Sequence, residues 1–271
     1  LVRAADSGDA ELVRMLLAHG ADVRGRDFSE YTPLATAVVA GDLAGVRLLV
    51  AAGSDVNELA AQRACSPLLL GVLAAGGAVH EYVWGECNGV PPDPDQRATI
   101  ESRYIPVLAV LIEAGANVEL AGRDGETPLR AAIDQRLPAV LGLLLKSWAD
   151  VTRIDGDGDT LLHFLVKAPG ERRYAAEAQY APLAELLLAH GIDRDARNGG
   201  GKRAVDIAAE DGFYTLVQIL AADGWQPDTT GLLPFAECNG WDLHGVKLGE
   251  RDLRVVKLAK ANLMGADLHH A

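Results

Sequence analysis

The run Asp155-Gly156-Asp157-Gly158-Asp159 sets three carboxylates at alternate positions, the way a loop that ligates a hard cation begins. Such a loop needs a glycine at its sharp turn and a bidentate glutamate at its end. Here those two places hold Thr160 and Val166, so the run reads as the tip of a hairpin instead. The seven histidines do not converge: His19 and His190 each precede a glycine, and His269 and His270 stand at the chain end, where only adventitious metal would bind. Cys65, Cys87 and Cys238 are odd in number and contain no C-x-x-C pair, which excludes a readable disulfide framework or zinc site and suits reduced thiols. Glu-Cys-Asn-Gly occurs twice, ending at Gly89 and at Gly240, and Asn-Gly is a turn signal in its own right. No G-x-S-x-G, H-E-x-x-H or phosphate-cradling loop occurs. The expectation is a chain without a catalytic residue, a metal or a cofactor.

What the sequence does contain is spacing. Gly20 and Gly53 lie 33 residues apart, and so do Gly8 and Gly41, each flanked by the same apolar and polar pattern. A period of this length belongs to a two-helix unit that buries its apolar face by stacking on the next copy. The second copy is the clearest. Thr32 offers a hydroxyl cap and Pro33 fits the first helical position, so a helix starts there. Gly41 and Gly53 fall where helices end. Between them Leu43, Val46, Leu49 and Val50 recur at helical spacing and form a buried stripe.

This pattern resembles the ankyrin repeat, with its T-P-L start, mid-repeat glycine, leucine-rich second helix and G-A-D-V-N turn. Copies are carried by Gly20-Ala21-Asp22-Val23, by Thr32-Pro33-Leu34, by Ser66-Pro67-Leu68 with Gly115-Ala116-Asn117-Val118, by Thr127-Pro128-Leu129 with Ala149-Asp150-Val151, by Thr160-Leu161-Leu162-His163 with Gly191-Ile192-Asp193, and most weakly by Val205-Asp206-Ile207-Ala208. The resemblance implies a mainly α solenoid of about six helix pairs over residues 1–228, and for His163 a role in capping and in hydrogen bonding between repeats. Two copies are long: one holds an insertion at about 77–104, expected as a loop, and another a smaller one at about 169–179, which would extend the helices.

After a linker at 229–240 the period changes. Leu243, Leu248, Leu253, Leu258, Leu263 and Leu268 recur every fifth residue, commonly after Asp, Asn or Lys. This resembles the pentapeptide repeat, and implies a short right-handed quadrilateral β-helix or cap over 241–271. The chain carries a net charge of −13, yet from residue 241 onward five basic residues face four acidic ones, so the acidity belongs to the helical part. Sequence-independent nucleic-acid or anionic-lipid affinity is therefore disfavoured, as is imitation of DNA by the terminal segment. The longest apolar run, Pro67 to Val79, is too short to span a bilayer.

For function these features imply a non-enzymatic protein-binding module, monomeric and cytoplasmic, whose partner is a protein of basic or mixed charge. A signal preceding Leu1 would alter the location. Residue usage and the joining of the two repeat types resemble bacterial proteins. Three surfaces compete for the partner. The inserted segment offers the acids Glu81 and Glu86 and, as anchors, Tyr82 and Trp84, aromatics without a repeat-packing role. The hairpin tips offer Arg26, Phe28, Glu30, Asp124, Glu126 and Asp157. First-helix residues such as Thr36, Arg130 and Asp134 would line the concave side. Two other roles share this architecture: an immunity or inhibitor protein that neutralises a toxin or enzyme, and a topoisomerase-binding pentapeptide protein.

Overall fold

A hydroxyl residue followed by proline decides where the first helix of a repeat begins. The Ala35, Leu69 and Arg130 N–H groups donate to the side-chain oxygens of Thr32 (3.1 Å), Ser66 (3.2 Å) and Thr127 (3.3 Å), and a proline occupies the next position in each case. A computed structural model of the chain describes residues 1–60, 64–77, 94–123, 125–168, 173–211 and 213–221. They fall into two compact units, Leu1–Asp150 and Val151–Ala271.

The first unit contains α1 (Val2–Asp6), α2 (Ala10–Ala18), α3 (Pro33–Val39), α4 (Leu43–Ala51), α5 (Pro67–Ala75), α6 (Pro94–Glu113), α7 (Pro128–Asp134) and α8 (Pro138–Lys146). The odd-numbered helices pack side by side as one layer and the even-numbered ones as a second. The second unit repeats the plan with α9 (Leu161–Lys167) beside α11 (Ala204–Asp211) and α10 (Arg173–Ala189) beside α12 (Tyr214–Leu220). The described residues thus form six helix pairs. They include no β-strand, only isolated bridges joining Ala60 to Cys65 and Arg197 to Arg203. The leucine series and the linker before it lie outside the described residues.

Second-layer helices start in two ways. Asp9 and Asp42 cap α2 and α4 through their carboxylates, accepting from Leu12 N at 2.9 Å and Ala44 N at 3.1 Å. At the same place later copies carry Tyr104, Leu137, Tyr180 and Phe213, all buried in the core. A residue spent on packing cannot cap, and α8 draws on a distant substitute: Glu101 accepts a 2.9 Å bond from the Val140 N–H.

Glu101 belongs to the inserted segment, and from Pro94 onward that segment is helical, an extension of α6, rather than the expected loop. The extension reaches three other helices. Arg97 Nη1 donates to the Gln135 carbonyl at 2.9 Å, Tyr104 Oη to the Val39 carbonyl at 2.6 Å, and Arg103 to the Ala40 carbonyl. Pro106 and Pro182 lie within α6 and α10, at the second residue of the helix that an uninserted copy would begin there, the place of Ala44 in α4. Residues 78–93 lie outside the described residues.

The first layer is more buried than expected. Every residue of α5 is buried, and so is Thr36, whose hydroxyl donates to the Thr32 carbonyl at 3.1 Å. Thr36 is therefore no part of an open concave face, whereas Arg130 is half-buried and Asp134 exposed.

Candidate functional site

Hairpin tips between repeats are built by one local device. Asp27 Oδ1 accepts from the N–H groups of Ser29 and Tyr31, each at 2.9 Å; Asp155 Oδ1 does the same for Asp157 and Asp159, and Asn198 Oδ1 for Gly200 and Lys202. The side chain thus folds the tip back on itself, as an Asx turn does. The fourth tip residue takes a left-handed backbone, φ +75° at Gly125, +75° at Gly158 and +76° at Gly201. In the first tip that place is held by Glu30, at φ +63°. A carboxylate residue is kept there at a conformational cost of about 1–2 kcal/mol relative to glycine.

Phe28 caps this tip with its ring wholly in water, at 107% relative exposure. Arg26 does not project beside it. Its Nη2 donates to Glu58 Oε1 at 2.6 Å and to the Leu59 carbonyl at 3.0 Å, and Nη1 to the Glu30 carbonyl at 3.2 Å, joining two successive hairpins. Its place is structural: it presents Phe28, Glu30, Glu58 and the partly exposed Leu59 as one aromatic and acidic edge.

The other tip residues are dispersed. Glu126 is half-buried and accepts the Gly122 N–H through its carbonyl at 2.9 Å. Asp157, in the second unit, keeps an exposed side chain while its carbonyl accepts the Gly199 N–H at 2.8 Å. Tyr82, Trp84, Glu81, Glu86 and Asp124 lie outside the described residues.

The alternating aspartates are committed to the hairpin. Asp155 Oδ1 holds two backbone N–H groups, and buried Asp159 accepts from Asn198 Nδ2 at 2.9 Å and from Lys167. Burial raises the Asp159 pKa, but the bonds from Lys167 and Asn198 outweigh it and hold the carboxyl below its ordinary value. Oxygens engaged in this way do not converge on a cation. Among the described residues no group of three or more His, Cys, Asp or Glu could hold a metal.

His163 is buried between repeats of the second unit. Its Nδ1 accepts from the Thr160 N–H at 3.2 Å and lies 2.9 Å from Thr160 Oγ1. The ring proton is therefore on Nε2, which donates to the Lys202 carbonyl at 2.8 Å. The side chain caps α9 and ties one copy to the next.

The same geometry recurs in known structures. A family model described as ankyrin repeats, in three copies, matches residues 1–60. The crystal structure of an ankyrin repeat domain from Acinetobacter baumannii AYE aligns with a TM-score of 0.61 at 20% identity, over 81% of this chain and 94% of that one. The fold is that of ankyrin repeats. A second ankyrin repeat protein aligns with a TM-score of 0.60 at 21% identity, over 83% of this chain and 96% of its own. No curated protein matches the sequence. Ankyrin-repeat proteins are generally protein-interaction modules, and repeat stacks present extended surfaces suited to that work. Among the described residues no helix is long and apolar enough to cross a membrane.

Sequence reading missed three exposed features of the ankyrin repeats. Leu59 became visible only through its contact with Arg26. Leu12 and Met15 lie on α2 at 36% and 45% exposure. Trp148 was detectable: it falls in register with Gly20, Gly53 and Gly115, and a bulky residue at a glycine position is a signal in itself.

Proposed function

We propose that this chain is a non-enzymatic, monomeric recognition module that captures a protein partner of basic or mixed charge along its hairpin edge. The observation that carries the reading is Phe28, a fully solvated aromatic at a tip held rigid by Asp27 and flanked by Glu30 and Glu58. A rigid aromatic surrounded by carboxylates anchors an apolar contact and favours cationic groups around it. Net charge of −13 supports the same polarity and disfavours nucleic acid. The inserted residues Glu81, Tyr82, Trp84 and Glu86 and the tips at Asp124 and Glu126 would extend the contact, and Asp157 would offer a contact of its own on the second unit. The Thr160–His163 pairing at 2.9 Å is accounted for by capping and needs no catalytic role.

A photo-crosslinking residue placed at position 28, and separately at exposed Arg47 on α4, tests the reading in extracts of the native host. A polypeptide of basic or mixed charge is expected to attach at position 28 and not at 47. Attachment of nucleic acid, or equal labelling at both positions, would refute it.

A further inference from the structure

Trp148 departs from the repeat in two respects. In the first unit Gly20, Gly53 and Gly115 end the second-layer helices with φ of +81°, +87° and +92°, and Trp148 occupies that place after α8 with φ +65°. A left-handed backbone disfavours any side chain. The indole recovers nothing by burial, since the residue is 94% exposed. Folding of the unit therefore gives no reason for a tryptophan here, where glycine would serve better.

Its surroundings select a sign of charge. Helices α6 and α8 pack side by side and end at Glu113 and Lys146, so both present the negative end of their dipoles to this edge. Glu119 Oε1 accepts the Asp150 N–H at 2.9 Å, which fixes the two following turns together. The carboxylates of Glu113, Glu119 and Asp150 thus stand at the ends of α6 and α8 and in the turns that follow, with the ammonium of Lys146 and, three residues beyond Asp150 in sequence, the guanidinium of Arg153. An indole face is the best aromatic platform for a cation, and a guanidinium both stacks on it and pairs with carboxylates.

We infer that Trp148 with these carboxylates forms a second docking surface, for an arginine-bearing segment of a protein partner whose guanidinium lies over the indole. The inference rests on the chain being a protein-binding module but uses an edge separate from Phe28. Salt weakens the contact, because exposed carboxylates supply its charge.

The test uses the whole chain labelled with 5-fluorotryptophan, in which Trp148 is one of four tryptophans and its fluorine signal is assigned by Trp148→Phe. The probes are an acetylated and amidated peptide alternating glycine with arginine, and its glutamate counterpart. The Trp148 signal should shift saturably with the arginine peptide and not with the glutamate one. In anisotropy titrations Trp148→Gly should weaken arginine-peptide binding by about two- to fivefold, without lowering the unfolding midpoint. Equal shifts with both peptides, or unchanged affinity in Trp148→Gly, would overturn the inference. The readout is peptide binding rather than partner capture, so its failure leaves the hairpin edge standing and the converse also holds.

Discussion

Replacing Glu101 should cost the first unit more than any exposed charge would. Its carboxylate is buried and receives the N–H of Val140 at 2.9 Å, with the Ala139 N–H directed at the same group. Both donors lie in the first turn of α8, whose own cap position is Leu137. In Glu101→Ala the buried Val140 N–H loses its partner, a loss of about 1–3 kcal/mol. Removing an anion from a helix N-terminus costs about 0.3–1 kcal/mol more. Relief of carboxylate desolvation offsets part, leaving about 2–3 kcal/mol and a fall of about 5–10 °C in unfolding midpoint for a domain of this size. Glu101→Gln keeps an acceptor oxygen and should lose no more than about 1 kcal/mol. Burial pushes the Glu101 carboxyl up, and the N–H groups of Val140 and Ala139 and the Arg97 guanidinium pull it only partly back. The folded state therefore binds that proton more tightly than the unfolded chain. Its contribution is fully present below the unfolded pKa and is lost as pH rises through the folded one. Glutamine does not titrate, so the stability of the parent relative to Glu101→Gln should fall as pH rises through that window. Urea titrations at several pH values, with hydrogen exchange at Val140, measure both effects. Equal losses in the alanine and glutamine variants, or unchanged protection of the Val140 amide in Glu101→Ala, would refute the capping argument.

Glu30→Gly removes a side chain from a left-handed position and should stabilise the chain by about 0.5–1 kcal/mol net of unfolded-state entropy, while partner capture falls; calorimetry and a pull-down read the two changes. Gly158→Ala should destabilise by about 2 kcal/mol or more, because the added Cβ would lie 2.8 Å from the Gly199 nitrogen at φ +75°; a denaturant midpoint checks it. His163→Ala orphans the Lys202 carbonyl and leaves a cavity, for a loss of about 2–4 kcal/mol, visible as accelerated exchange in α9 and α11. Asp159, whose pKa is depressed, contributes stability that is present above the unfolded pKa and lost as pH falls through the folded one. Asp159→Asn should flatten that acid limb of the unfolding curve.

The helix pairs were legible because each start and stop has a local cause. Thr32-Pro33 and Thr127-Pro128 begin helices whatever surrounds them, and Gly41 and Gly53 end them through their own backbone freedom. What could not be read depends on residues distant in sequence. That Arg26 is consumed by Glu58 and Leu59 rests on the packing of one hairpin against the next. That residues 94–104 form helix rests on their tertiary partners, the ends of α3 and α7 and the start of α8, since Pro106 on its own suggests a helix start. Burial of α5, by contrast, was legible in its unbroken apolar run from Pro67 to Ala75, because a helix that is apolar all round is a buried one. The weak last copy illustrates compensation. Arg203 replaces the capping hydroxyl, and Asp206 reaches back to accept its N–H at 3.0 Å while holding the guanidinium at 2.8 and 3.0 Å.

In a stack of repeats each copy meets only its neighbours, so rigidity must be built interface by interface. In the first unit the extended α6 adds bonds that the bare repeat lacks. From one helix, Tyr104 and Arg103 hold the end of α3, Arg97 the end of α7, and Glu101 the start of α8. All four contacts fall where first-layer helices hand over to second-layer ones. The hairpin tips, and the turns following second-layer helices, carry none of them. Those are also the places where Glu30 and Trp148 hold left-handed backbones with their side chains in solvent. Local strain persists only where the surrounding structure over-determines it. The braces from α6 thus belong to a unit that holds side chains unsuited to their backbone at a hairpin tip, after a second-layer helix and, with Arg136 at φ +56°, at a handover as well.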